Sequence, residues 1–229
     1  MERKIGFQSI LDVFVDHKRI YSSLLKKNNF ILPLVMLVLC SAAVSYWYTA
    51  AVDFSWMVDH IIETGFEGKS KEEIEGFRSY FTHQVFLTSA MVETIGVLLI
   101  LIVLLTAYFM FVGRVLSMGN SFAAWLSFVS WSYIPALLSY LAMAVTIAMS
   151  SDGQIKRETL DPLSLNSLVF DLGVTHNWYS AVSLISIPQL WIWGIMIAGF
   201  SLWSKKSMST SAAIVLFPFA LYALLTGIL

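Results

Sequence analysis

Five stretches of this chain are dominated by apolar side chains, near residues 31–52, 86–112, 122–149, 181–203 and 212–229. Polar and charged residues gather between them. Crossing a hydrocarbon core of about 30 Å takes about 20 helical residues. Backbone polar groups inside lipid must pair within their own segment, so the five stretches predict helices rather than strands. Pro135, Pro188 and Pro218 fall inside the third, fourth and fifth. Each is expected to kink its helix or to leave a carbonyl for a neighbour to satisfy.

Shorter patterns lie between the spans. Over residues 5–27, Leu11, Phe14, Lys18, Tyr21 and Leu25 recur every three to four positions. This predicts an amphipathic helix, either lying along the membrane surface beside Lys26 and Lys27 or packed on the ends of the spans. In the 53–85 loop, Phe54, Met57, Val58, Ile61 and Ile62 form one stripe, and "GFEGKS" (65–70) breaks it. Ser70 and Glu73 make a capping box, and Ile74, Phe77 and Phe81 carry a second stripe into the second span. In the 150–180 loop, Asp161 as N-cap, Pro162 as first residue and Gly173 as stop predict one more helix, with Leu165, Leu168, Val169 and Leu172 on one side. Trp178 and Tyr179 follow, where an interfacial aromatic belt is expected.

Composition agrees with a membrane protein. Of the 229 residues 58% are hydrophobic and only 13% charged, about half the charged share of a soluble domain. The polar first 29 residues are unlike a signal peptide, so entry through the first span is expected. Lysine and arginine decide orientation. Arg3, Lys4, Lys18, Arg19, Lys26, Lys27, Arg114, Lys205 and Lys206 fall on one side, against Lys69, Lys71, Arg78, Lys156 and Arg157 on the other. The second side also holds eleven of the fifteen acids. The expected architecture is an all-α polytopic membrane protein. It comprises a cytoplasmic amphipathic helix (1–30) and a single five-helix membrane domain (31–229), with the N-terminus cytoplasmic and the C-terminus outside.

Glu93 is the conspicuous residue, an acid almost at the start of "MVETIGVLLILIVLLTAYFMFVGR" (91–114). Counting about 20 residues back from Val112 reaches it, which puts it at the outer boundary. The apolar "VFLTSAMV" (85–92) before it continues the helix outward. Either Glu93 is interfacial, or tilt and packing bury it, in which case it needs a partner. Since no Lys or Arg lies within another span, hydroxyls, Trp, His or a proton are the candidates. His60 and Glu63, one turn apart, form a weak cation pair with no third ligand fixed by spacing, so solvated polar faces are the better account and no metal is expected. Cys40 is the single cysteine, which excludes an intramolecular disulfide. Phosphate loops, HExxH, G-x-S-x-G and nucleophile–base pairs are absent, and no basic stripe suits nucleic acid. Neither an enzyme nor a cofactor is expected.

The order of the pieces is more specific than any one of them. "FVGRVLSMGNSFAAWLSFVSWSYIPALLSYL" (111–141) resembles the centre of the Yip, or Ypt-interacting protein, domain family, with Gly113, Gly119, Ser121, Phe122, Tyr133 and Pro135 at the matching positions. "KSKEEIEGFRSYF" (69–81), "DPLSLNSLVFDLG" (161–173) and "LWIWGIMIAGFSLWSKKSMSTSAAI" (190–214) resemble segments of its bacterial branch. The resemblance covers residues 10 to 229 and implies a multi-pass protein of a bacterial inner membrane. His17 stands where members often carry proline in the N-terminal helix. The acidic motifs linked to Rab GTPase binding in eukaryotic relatives are also missing, so Rab-type binding is not carried over. A non-enzymatic protein that binds a membrane or cytosolic partner, or organises bilayer lipid, is the expected function. The alternative is a small transporter or channel for an ion, proton or lipid, using Glu93 and the kinked spans. Arg114, Pro135 and Pro188 complete the candidate positions.

Overall fold

The computed structural model describes residues 8–228. Eleven α-helices are found among them: α1 (Gln8–Val15), α2 (His17–Lys26), α3 (Ile31–Ala51), α4 (Phe54–Gly65), α5 (Lys71–Tyr80), α6 (His83–Val115), α7 (Phe122–Ser132), α8 (Ala136–Met149), α9 (Tyr179–Leu184), α10 (Ile187–Ser204) and α11 (Met208–Ile228). Helices α3, α6, α10 and α11 are long and apolar enough to cross a membrane, and α7 with α8 makes a fifth crossing if the bent pair is one span. The chain is a multi-pass membrane protein.

The prolines act differently from one another. Pro135 sits in the break between α7 and α8, whose axes differ by 41°, so the kink expected there is present. Pro188 kinks nothing. The fourth stretch stops at Leu184, and α10 begins afresh with the Ser186 hydroxyl capping the Gln189 amide and Pro188 in the first turn. First-turn amides have no helical acceptor, so a proline is tolerated there. Pro218 lies within α11.

The N-terminal amphipathic stretch is two helices, broken where Asp16 caps α2 by accepting from the Arg19 amide. It packs into the bundle rather than lying free on a surface. Ile10, Val13, Ile20, Tyr21 and Leu24 are buried in the main core with Phe109, Trp125, Phe128, Phe200 and Trp203. Tyr21 is the anchor. Its hydroxyl bonds Ser132 Oγ at 2.5 Å, its carbonyl accepts from Trp203 Nε1 at 3.0 Å, and its ring lies on the Cα of Gly199. Burial pushes the Tyr21 phenol above its ordinary pKa range, against the opposing bond from Ser132. Asn29 closes the turn into α3, its amide donating to Ser127 Oγ and its carbonyl accepting from Trp131 Nε1.

A second core joins the other end of the bundle, where Tyr48, Val52, Met57, Val58, Phe86, Ile147 and Ile155 pack together. The capping box is present, with Ser70 Oγ accepting from the Glu73 amide and Glu73 Oε2 from the Ser70 amide. The helix expected over 161–173 contracts to a single wide turn at Asn166–Phe170 that ends at Asp171 rather than Gly173. Asn166 stops it early. Its buried side chain brackets Leu172, accepting from the amide and donating to the carbonyl. Leu168, Val169 and Phe170 are left exposed at the tip. Helix α11 finishes beside Trp178, whose ring lies against Gly227, so it ends among these loops, away from α2.

Candidate functional site

Helix α6 has 33 residues and is about 50 Å long at 1.5 Å per residue. It overruns a hydrocarbon core of about 30 Å, and Glu93 lies ten residues from its start. There Glu93 Oε1 receives Arg157 Nη2 at 2.6 Å. The two side chains are 49% and 58% exposed, so the acid is charge-paired on the outside of the bundle rather than sunk within it. The partner was missing from the sequence-derived candidates because it comes from the loop, not from another span.

Arg157 and Glu158 are neighbours on a single 3-10 turn, Arg157–Thr159. While Arg157 holds α6, Glu158 Oε1 meets His60 Nε2 of α4 at 2.8 Å. The His60 ring in turn stacks on Trp56 with centroids 5.3 Å apart. Two successive residues thus tie one loop to two helices. His60 and Glu63 do not converge: His60 is engaged by Glu158, and Glu63 is exposed. Among the described residues no group of three or more His, Cys, Asp or Glu gathers as metal ligands would. Arg114 is exposed at the far end of α6, remote from this loop.

Beneath the turn lies a cavity of about 250 Å³. Its walls are α3 (Ser41, Ser45, Tyr48), α6 (Phe86, Ala90, Thr94), α8 (Tyr140, Met143), α9 (Tyr179, Ser183) and the loop residues Arg157, Glu158, Asp161 and Ser164. On α3 the lining runs from Tyr48 inward to Ser41. Ser41 is ten residues from the helix end at Ala51, about 15 Å along the axis and hence near the middle of the span. Farther along the same helices the wall becomes solid core. Leu37 of α3, Leu98 and Ile102 of α6 and Ile134 before α8 are buried in the main core.

The polar groups of this cavity are oxygens set in an otherwise largely apolar wall, and four of its hydroxyls have already given their proton to a neighbour. Ser41 donates to the Val38 carbonyl, Ser45 to the Ala90 carbonyl, Tyr48 to the Ile155 carbonyl and Thr94 to Ser45 Oγ. A hydroxyl has one proton to give, so these four present lone pairs only. Asp161 accepts from the Leu163 amide. Burial raises its carboxyl pKa, against the opposing bonds from Leu163 and Ser139. No basic side chain of the described residues is paired with it. The Tyr179 phenol is also pushed up, chiefly by burial, with the Ser183 hydroxyl opposing.

Ser41 and Ser45 are four apart on α3, as are Ala90 and Thr94 on α6, so each pair shares a helix face, a spacing legible in the sequence. No curated protein and no solved structure is detectably similar to the chain. A family model does match, over residues 11–229, nearly the whole length on which the five-span order rests: the chain belongs to the Yip1 domain family.

Proposed function

We propose that the protein is a non-catalytic integral membrane protein that binds lipid and organises it around the bundle. Its α1–α2 end faces the cytoplasm of a bacterial cell, and its loop end faces outward from the inner membrane. One observation carries this reading: a cavity with hydroxyls and carboxylates set in a largely apolar wall descends from the loop end to mid-span, toward an apolar core. A cavity of mixed lining that reaches only mid-span suits holding an amphipathic lipid rather than conducting a charge. The half-exposed Glu93–Arg157 pair points the same way, since a carboxylate already neutralised at the surface is a poor relay. A partner protein remains compatible with the exposed apolar tip Leu168–Phe170, and Rab-type GTPase binding is not part of the proposal.

The test is purification in mild detergent followed by native mass spectrometry, alongside flux measurements in proteoliposomes. Retained phospholipid and no protein-dependent ion or proton flux are expected. Flux that Glu93→Gln abolishes would replace this reading with the transporter alternative.

A further inference from the structure

The cavity described above selects its occupant by hydrogen-bond arithmetic. Ser41, Ser45, Tyr48 and Thr94 have each spent their single proton on a neighbour, three of them on backbone carbonyls, which cannot donate in return. Asp161 and Glu158 add carboxylate oxygens to the same wall. Glu158 uses Oε1 on His60, and Asp161 has no basic partner among the described residues. Tyr140, Tyr179 and Ser183 add hydroxyls that can donate, so the hydroxyls discriminate little. The two carboxylates, whose oxygens only accept, are complemented by a cationic group that is all donor. The primary ammonium, with three N–H bonds and no lone pair, is that group. A quaternary ammonium offers no N–H, and an anionic headgroup would face the two carboxylates.

The one strong donor lining the cavity is Arg157. Its guanidinium has five N–H bonds, of which Nη2 serves Glu93. Placed 58% exposed at the mouth, it suits a phosphate lying outside the ammonium. Depth favours a lipid as the source of both charges. The lining reaches about 15 Å below the end of α3, within the leaflet on the loop side. The two walls α6 and α8 also turn exposed apolar residues, among them Val92, Val97, Leu141 and Val145, to the surroundings.

We propose that this cavity binds the headgroup of an aminophospholipid, Asp161 and Glu158 receiving its primary ammonium and Arg157 its phosphate. The inference rests on the lipid-binding reading above and narrows it to one headgroup chemistry.

The test uses the full chain in detergent micelles, titrated with phosphatidylethanolamine, phosphatidylcholine or phosphatidylglycerol, and bound lipid is counted by native mass spectrometry. Soluble phosphoethanolamine is run as a separate arm. Phosphatidylethanolamine is expected to bind at least about tenfold more tightly than the other two, the loss expected when a hydrogen bond to a charged group goes unmade. Asp161→Asn, which keeps the acceptor for the Leu163 amide, is expected to erase that preference. Arg157→Gln is expected to weaken phosphatidylethanolamine and phosphatidylcholine alike. Should Asp161→Asn fail to fold, Ala90→Met places a flexible side chain in the cavity without removing a polar group and is expected to block binding. Equal retention of the three lipids, or a preference for phosphatidylglycerol, overturns the headgroup assignment and leaves the general lipid-binding reading standing. No retained lipid of any kind removes both. Tight binding of soluble phosphoethanolamine without lipid retention reassigns the cavity to a free amine and overturns the lipid assignment.

Discussion

Gly199 offers the sharpest test of how the N-terminal helices are held. A Cβ built on it would stand 2.5 Å from Cε2 of Tyr21 and 2.7 Å from Cδ2 and Cζ, whereas carbon atoms rest comfortably at about 3.5–4.0 Å. The ring must therefore retreat by about 1 Å, and it has nowhere to go. Its hydroxyl is tied to Ser132, its carbonyl to Trp203, and its faces meet Phe128 and Trp203 at centroid distances of 5.0 and 6.4 Å. Overpacking a well-filled core costs about 1–3 kcal/mol, and losing the Ser132 bond adds about 1 kcal/mol. Gly199→Ala is thus expected to destabilise by roughly 2–4 kcal/mol, a fall in Tm of roughly 5–15 °C for a chain of this size. Tryptophan fluorescence during thermal unfolding in detergent reads it, because Trp203 and Trp125 lie in the same cluster. Tyr21→Leu alone leaves a void and costs about 2–4 kcal/mol. In the double variant the smaller side chain accommodates the new methyl, so the combined loss is expected to fall short of the sum by at least about 1 kcal/mol. A Gly199→Ala protein that melts with the wild type, or single losses that simply add, would refute the docking of α2 against α10.

Three other changes probe the loop end. Gly153 has φ +71°, and a Cβ there would lie 2.9 Å from the Ala51 carbonyl oxygen, so Gly153→Ala is expected to cost about 1–2 kcal/mol or more in thermal unfolding. Arg157→Gln is expected to change stability by less than about 1 kcal/mol, because the Glu93 pair is half exposed; a larger drop would mean the pair is more deeply buried in lipid than its exposure indicates. For Asp161 the folded-state pKa is raised, so its ionised form is disfavoured by folding and stability from this group grows as pH falls through the raised value. Asp161→Asn is therefore expected to melt no lower than wild type at neutral pH, with the difference narrowing in acid. A Tm clearly below wild type would overturn that sign.

Much of this protein was legible from side-chain pattern alone. The first span is predicted at 31–52 and found at Ile31–Ala51, and the Ser70–Glu73 box and the Pro135 break stand where they were read. These features depend on neighbours a few residues away: lipid forces backbone bonds inside each segment, and a cap needs only the next turn. The family match over 11–229 follows from the same linear order. The tertiary structure decided whatever depends on distant residues meeting. It paired Glu93 with Arg157, 64 positions away, and turned His60 from Glu63 toward Glu158. It also drew residues 8–26 into the core through Tyr21, Ser132 and Gly199, where periodicity allowed a surface helix equally well. Amphipathicity reports that a face is buried but not against what, because lipid and a packed helix are both apolar. The cavity followed the same rule. The Ser41/Ser45 spacing marks a helix face in the sequence, but the hydroxyls and carboxylates share a wall only once α3, α6, α8 and the 150–180 loop close around one space.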